Sequence, residues 1–284
     1  MAEKAAGAEV RRFAARQAEE RLGRLTAEIS HVVQSHDADA VHDLRTSIRR
    51  LAQTLDMFEP FFRNGHPLRI RRKLKRIMVL AGEVRNCDVA LKLLTESGKA
   101  GGADAAARLR SRRRECLHEL IAVLKNWQMK NSPARWNAEL EVAAKSVSSS
   151  HKGLNRVAPG LLTPLAKDFF KLGKRAARAK AAPEELHRFR IAGKKFRYSL
   201  ELFIPLYGTP LTPLLEKIVR SQDILGDIND CETVRKLVSD YKGTGAFRKW
   251  LGKRQRRKTA KFRKYWRGVF EAEAGKQDWR GLLR

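Results

Sequence analysis

The chain has 284 residues, with 60 Lys or Arg against 31 Asp or Glu, a formal net charge of +29 and a pI near 10.7. That excess repels itself in a compact state and calls for an anionic partner, leaving nucleic acid, an anionic membrane surface and a free polyanion open on charge alone. Three scattered cysteines exclude a disulfide framework, and neither a secretory signal nor a bilayer-spanning run is predicted, because no apolar run precedes Val10 and Ile77 to Ala81 is far too short. The expectation is a soluble cytoplasmic protein of a reducing compartment.

Residues 1–7 read as a loose terminus. From Ala8, the seam Val10, Ala14, Ala18, Leu22, Leu25, Ile29 and Val32 predicts a long helix. Ser35-His36-Asp37-Ala38-Asp39 breaks it and offers N-caps to the next. Val41 to Phe62 then reads as an amphipathic helix with Val41, Leu44, Ile48, Leu51, Leu55 and Phe58 turned inward. On another of its faces His42, Arg45 and Arg49 align at i, i+3 and i+7, with Arg50 beside them. Asn64-Gly65-His66-Pro67 reads as a turn. A third helix is predicted from about Leu68 to Thr95, with Ile70, Leu74, Ile77, Ala81, Val84 and Leu91 inward. After the break at Gly98 to Gly102, a fourth at about 104–128 starts basic and ends on Leu117, Leu120, Leu124 and Trp127.

Ser132 to Pro159 reads as the boundary between halves, with a short helix at 134–147 inside it. The plan then repeats. Leu161, Leu165, Phe169, Leu172 and Ala176 predict one helix, and Pro183 stands where a first-turn proline belongs. Leu186 to Tyr207 is a second copy of the opening stretch, with His187, Arg190, Lys194 and Lys195 in the register of the first and Leu186, Phe189, Phe196, Leu200 and Phe203 as its seam. Pro60 and Pro205 read as the stops of the two copies. Helices at about 211–240 and 246–270 complete the second half. No strand pattern occurs.

Sliding the chain by 144 residues lays Ala81–Asp88 on Leu225–Glu232, matching Gly82 with Gly226 and Cys87 with Cys231. The same offset places Lys73 on Lys217, Arg76 on Arg220, and Arg112, Arg113 and Arg114 on Arg256, Arg257 and Lys258, while Arg69 and Arg72 fall on Pro213 and Glu216. The opening stretches align at an offset of 145. Basic positions that recur in both copies are the better candidates for a shared site. The expected fold is all-α: two pseudo-symmetric four-helix bundles, about 8–130 and 159–270, whose basic faces can converge on a central cleft.

The stretches VHDLR…RR…LAQTLDMFEPFF, its second copy, and the AGEVRNCDVA and LGDINDCETV segments resemble the CHAD family, the conserved-histidine α-helical domain, over about residues 8 to 270. The resemblance implies an all-α double bundle that binds inorganic polyphosphate in a basic central cleft, and a place at polyphosphate granules. Two departures stand out: Arg85-Asn86 replaces an expected Arg-Asp, and Asn229-Asp230 lacks the arginine. The Glu-x-Glu-x-Lys motif of the triphosphatase domain that often precedes CHAD domains does not occur in this sequence.

The candidate polyphosphate contacts are therefore His42, Arg45, Arg49, Arg50, Lys73, Arg76, Arg112 and Arg113, with His187, Arg190, Lys194, Lys195, Lys217, Arg220, Arg256 and Arg257. Guanidinium groups grip phosphate oxygens in forked pairs and lysines act as mobile point charges. The two histidines read equally as structural hydrogen-bonding residues or ligand contacts. Catalysis lacks its orienting carboxylates and metal cage, so no enzyme, cofactor or metal site is expected. Gly82 and Gly226 read as close helix contacts, Glu83, Asp88, Asp227 and Asp230 as neutralisers of neighbouring cations in preference to metal ligands, and Cys87 and Cys231 as core. Nucleic acid is the competing ligand, because Phe247, Trp250, Phe262, Tyr265 and Trp266 share the last helix with many cations. A phosphoanhydride-processing enzyme ranks below it, and a membrane reading has no free apolar face to rest on.

Overall fold

The first helix, α1, spans Ala2–Ser35 in the computed structural model, which describes residues 2–62, 66–98, 102–145 and 153–272. Residues 2–7 are thus helical rather than a loose terminus. Alanine, the strongest helix former, occupies four of the positions from Ala2 to Ala8. Every residue of the expected α1 seam, from Val10 to Val32, is fully buried. His36 at φ 60° ends the helix, and Asp37 caps α2 (Ala38–Met57) by accepting from the Ala40 N–H at 2.7 Å.

Among the described residues the chain forms nine α-helices and no strand. After α2 come α3 (His66–Ser97), α4 (Gly102–Met129) and α5 (Ser132–Lys145). Then follow α6 (Leu154–Ala176), α7 (Pro183–Tyr207), α8 (Thr212–Leu237) and α9 (Gly245–Trp266), the last extended by one π-helical turn at Arg267–Glu271. Asn64 and Gly65 of the expected turn, and Ser148–Ser150 of the expected boundary, lie outside the described residues. The chain divides into two compact units, residues 1–153 with 241–244, and residues 154–240 with 245–284.

In the first unit α1 packs on α2, α2 on α3 and α3 on α4, while α5 lies against α1. Trp127 of α4 meets Trp136 of α5 edge to face at 5.5 Å, which fixes the short helix to the bundle. In the second unit α6, α7, α8 and α9 pack in succession, and α9 returns to α6. Its core centres on Trp266, whose ring lies 5.6 Å from Phe169, 5.1 Å from Phe189 and 4.7 Å from Phe270. Gly173 admits that ring, since a Cβ there would come within 2.0 Å of it.

Two expectations fail in α6. Pro159 lies inside the helix, as does Pro164. The buried face is Leu154, Ala158, Leu162, Ala166, Phe169, Gly173 and Ala176, so Leu161, Leu165 and Leu172 sit one step off it. The Trp266 ring requires Gly173 beneath it, which sets the rotation of α6, and burial of that face outweighs the backbone bonds the prolines omit. Leu91 is likewise half-buried, with Cys87, Ala90 and Leu94 carrying the end of the α3 seam. Pro205 does not stop α7: the helix runs to Tyr207 and ends on Gly208 at φ 66°, whose N–H donates to the Ile204 carbonyl at 2.8 Å.

The repeat offsets expose a compensated swap in the core. Where α2 has Ile48 and α3 has Met78, α7 has Gly193 and α8 has Gln222. The Gln222 amide fills the space Gly193 leaves, 2.0 Å from where a Cβ would stand. Both Nε2 and Oε1 of Gln222 are buried without a hydrogen-bond partner. Gln222→Met restores the residue type of the first unit and removes an unsatisfied amide, a stabilisation of about 1–3 kcal/mol that denaturant unfolding will read as a higher midpoint at constant slope.

Candidate functional site

The basic face of α2 forms because its opposite face is committed to the core: Val41, Leu44, Ile48, Leu51, Leu55 and Phe58 are all buried. That leaves His42, Arg45 and Arg49 together at the surface of the first unit, joined by Arg85 from α3. Arg85 donates to the Ala38 carbonyl at 3.5 Å. Burial first, then the charges of Arg85 and Arg49, push the His42 imidazole below the ordinary histidine range. His42 is therefore neutral at pH 7.

Arg45 crosses from α2 to α3. Its Nη1 donates to the Met78 carbonyl at 3.0 Å and lies 2.8 Å from where a Cβ on Gly82 would stand. Gly82 is thus a seat for a guanidinium, not a close helix contact. A Cβ at Gly226 would meet nothing within 4 Å, so the two matched glycines have different surroundings. Arg49 donates to Thr46 Oγ1 at 3.0 Å along its own helix. In the second unit His187 and Lys195 are exposed, while Arg190 and Lys194 are half-buried on the corresponding face of α7.

Several other candidates are engaged or lie on other faces. Lys73 lies over the Trp136 ring at 6.0 Å, whereas Arg76 lines a groove of about 650 Å³ between α3 and α4 with Arg72 and Lys75. Arg220 covers the Tyr265 ring at 5.4 Å, and the Lys217 carbonyl accepts from Tyr265 Oη at 3.0 Å. Arg112 pairs with Glu83 at 2.8 Å, and Arg113 bridges Asp88 and the His36 carbonyl. On the second unit Asp227 holds Lys258, with Arg254 at 3.9 Å. Glu83, Asp88 and Asp227, three of the four carboxylates expected to do so, therefore neutralise cations of the neighbouring helix. Arg50 is half-buried, and Arg256 and Arg257 are exposed.

Burial pushes the Cys87 and Cys231 thiols up to about 11, so both stay protonated as core groups. No group of three or more His, Cys, Asp or Glu among the described residues is placed to hold a metal ion, and no described helix is long and apolar enough to cross a membrane. The aromatic residues of α9 are not presented as a stacking surface. Phe247, Phe262 and Trp266 are buried, Tyr265 bonds to Lys217, and Trp250 lies between Phe247 and Arg254.

Arg85 is the residue that the repeat comparison missed. Its counterpart is Asn229, so ranking cations by recurrence discards it, although its charge lowers the His42 pKa more than that of Arg49 or Arg45.

The CHAD domain profile matches residues 16–239. The chain belongs to the CHAD family. Solved structures share its fold, two of them as follows. The CHAD domain from the plant Ricinus communis superposes with a TM-score of 0.72 at 19% identity, covering 96% of this chain and 91% of that one. PptA from Streptomyces chartreusis gives a TM-score of 0.60 at 14% identity, covering 95% and 99%. Comparison with curated protein sequences gives no significant match.

Proposed function

We propose that this CHAD protein is a non-catalytic module that binds long-chain inorganic polyphosphate through the basic faces of α2 and α7, in the cytoplasm and at polyphosphate granules. The observation that carries the reading is the cluster of His42, Arg45, Arg49 and Arg85 on one face of the first unit. A phosphate chain offers only oxygens at high charge density, and forked guanidinium donors match it. A nucleic acid would add bases, and the α9 aromatics that could stack on them are committed to the core or to other partners. The deciding experiment is competition: single-stranded DNA at equal phosphate concentration should fail to displace bound polyphosphate, and displacement at parity would reject the assignment.

Binding should also carry a proton. The free His42 pKa is lowered, and a bound polyanion favours imidazolium and raises it. Affinity is then highest below the free-state pKa and falls as pH rises through the bound-state value. Calorimetry near neutral pH in buffers of different ionisation enthalpy should report net proton uptake with long polyphosphate, and His42→Gln should abolish it. Uptake unchanged in that variant would remove His42 from the site.

A further inference from the structure

The second unit carries a groove of about 680 Å³ where the end of α8 meets the start of α9. Six cations line it: Arg235, Lys236, Arg248, Lys249, Lys253 and Arg256. Lys236 is held by Glu232 at 2.8 Å. The other five are exposed, and no carboxylate among the described residues lies within ion-pair distance of them.

Three features set this groove apart from an ordinary solvated face. First, Arg248 and Lys249 stand at the N-terminal end of α9, where the helix dipole disfavours cations and favours anions, and no acidic residue occupies that turn. Second, Gly245 and Gly252 border the groove, and no neighbour requires glycine at either. A Cβ at Gly245 would meet nothing within 4 Å, and one at Gly252 only the tip of Arg256 at 3.9 Å. Glycine weakens a helix interior, so its use at Gly252 is explained by the open floor it leaves and not by packing. Third, the groove is mostly absent from the repeat. At the offset of 144, Arg235, Arg248, Lys249 and Lys253 fall on Leu91, Asp104, Ala105 and Leu109, and only Lys236 and Arg256 fall on cations, Lys92 and Arg112.

We propose that this groove is a second anion site, built on α8 and α9, for a ligand carrying three or more closely spaced phosphates. It rests on the proposed function in taking phosphate as the ligand chemistry, but it uses residues other than the faces of α2 and α7. Such phosphates can come from a polyphosphate chain or from a compact, phosphate-dense metabolite.

The test uses the full chain, titrated by calorimetry with tripolyphosphate and separately with inositol hexakisphosphate. Two variants probe the groove. Gly252→Leu fills its floor at constant charge, and Arg248→Gln/Lys249→Gln/Lys253→Gln removes three exposed cations that support no packing. Both should weaken short-ligand binding at one site by tenfold or more, while Arg190→Ala/Lys194→Ala leaves that site intact. Tighter binding of tripolyphosphate than of inositol hexakisphosphate marks the groove as a polymer subsite, and the reverse order marks a metabolite site. Unchanged isotherms in the triple variant overturn the proposal, whatever Gly252→Leu does to helix stability. Failure of long polyphosphate to bind the native chain would instead reject the proposed function, and inositol hexakisphosphate would still report on the groove.

Discussion

Replacing Arg45 and Arg49 with alanine should weaken binding of long-chain polyphosphate by about two orders of magnitude or more. A charge-assisted hydrogen bond is worth about 1.5–3 kcal/mol, less where water screens it, and about 1.4 kcal/mol is tenfold in affinity. The two residues differ in how well they are held. Arg45 is anchored on the Met78 carbonyl over Gly82, so little side-chain freedom remains to be lost on binding. Arg190→Ala/Lys194→Ala should produce a comparable loss on the second unit. A long chain that engages both faces gains effective concentration at the second once the first is bound, so either pair removes more than its own contacts. Short chains that reach one face should respond to substitutions on that face alone. Neutralising Arg11, Arg12 and Arg16 on α1 removes similar charge outside both faces. Measured by fluorescence anisotropy at one salt concentration, equal losses from control and face variants would mean binding by bulk charge, and the site assignment would fall.

The fold was legible because its seams are regular. Every inward residue expected of α1, α2 and α7 is buried, and the register of the basic faces followed from those seams. What misled were residues whose role depends on a partner helix. Pro159 and Pro205 carry strong local stop signals, yet the buried faces of α6 and α7 carry the helices through them. On α6 the sequence places Phe169 and Ala176 correctly, while Leu161, Leu165 and Leu172 lie one step off the buried face, because Gly173, featureless in sequence, receives the Trp266 ring. Gly82 read as a packing glycine because nothing along the chain shows that Arg45 reaches it from another helix.

The candidate site was legible in its first layer only. Periodicity found His42, Arg45 and Arg49, since they share a helix. Arg85 arrives from α3 and lacks a copy in the second half, so recurrence hid it. Recurrence also promotes Arg112 and Arg113, which neutralise Glu83 and Asp88 of α3, whereas on α9 it is Lys258, the counterpart of Arg114, that holds Asp227 of α8, and Arg256 and Arg257 lie exposed. Position in the repeat records shared architecture as readily as shared ligand.

Raising salt from 50 to 200 mM should lower the affinity for long polyphosphate by about three to five orders of magnitude if six to ten phosphates are neutralised, by analogy with the release of condensed counterions from DNA. The net charge of +29 makes some salt dependence certain, so the slope against log salt and its change in variants carry the information. Each contacted phosphate adds close to one unit to that slope. Arg45→Ala/Arg49→Ala should reduce it by about two, whereas Arg112→Ala should change it little, because Arg112 is already held by Glu83 at 2.8 Å. Chain length supplies the second axis. Affinity should climb steeply while added phosphates reach new cations, then flatten once the ligand occupies both basic faces, and the salt slope should stop growing at the same length. Tripolyphosphate that matched long polymer in both affinity and slope would mean that a compact pocket of few phosphates accounts for all binding, and the extended site would be rejected.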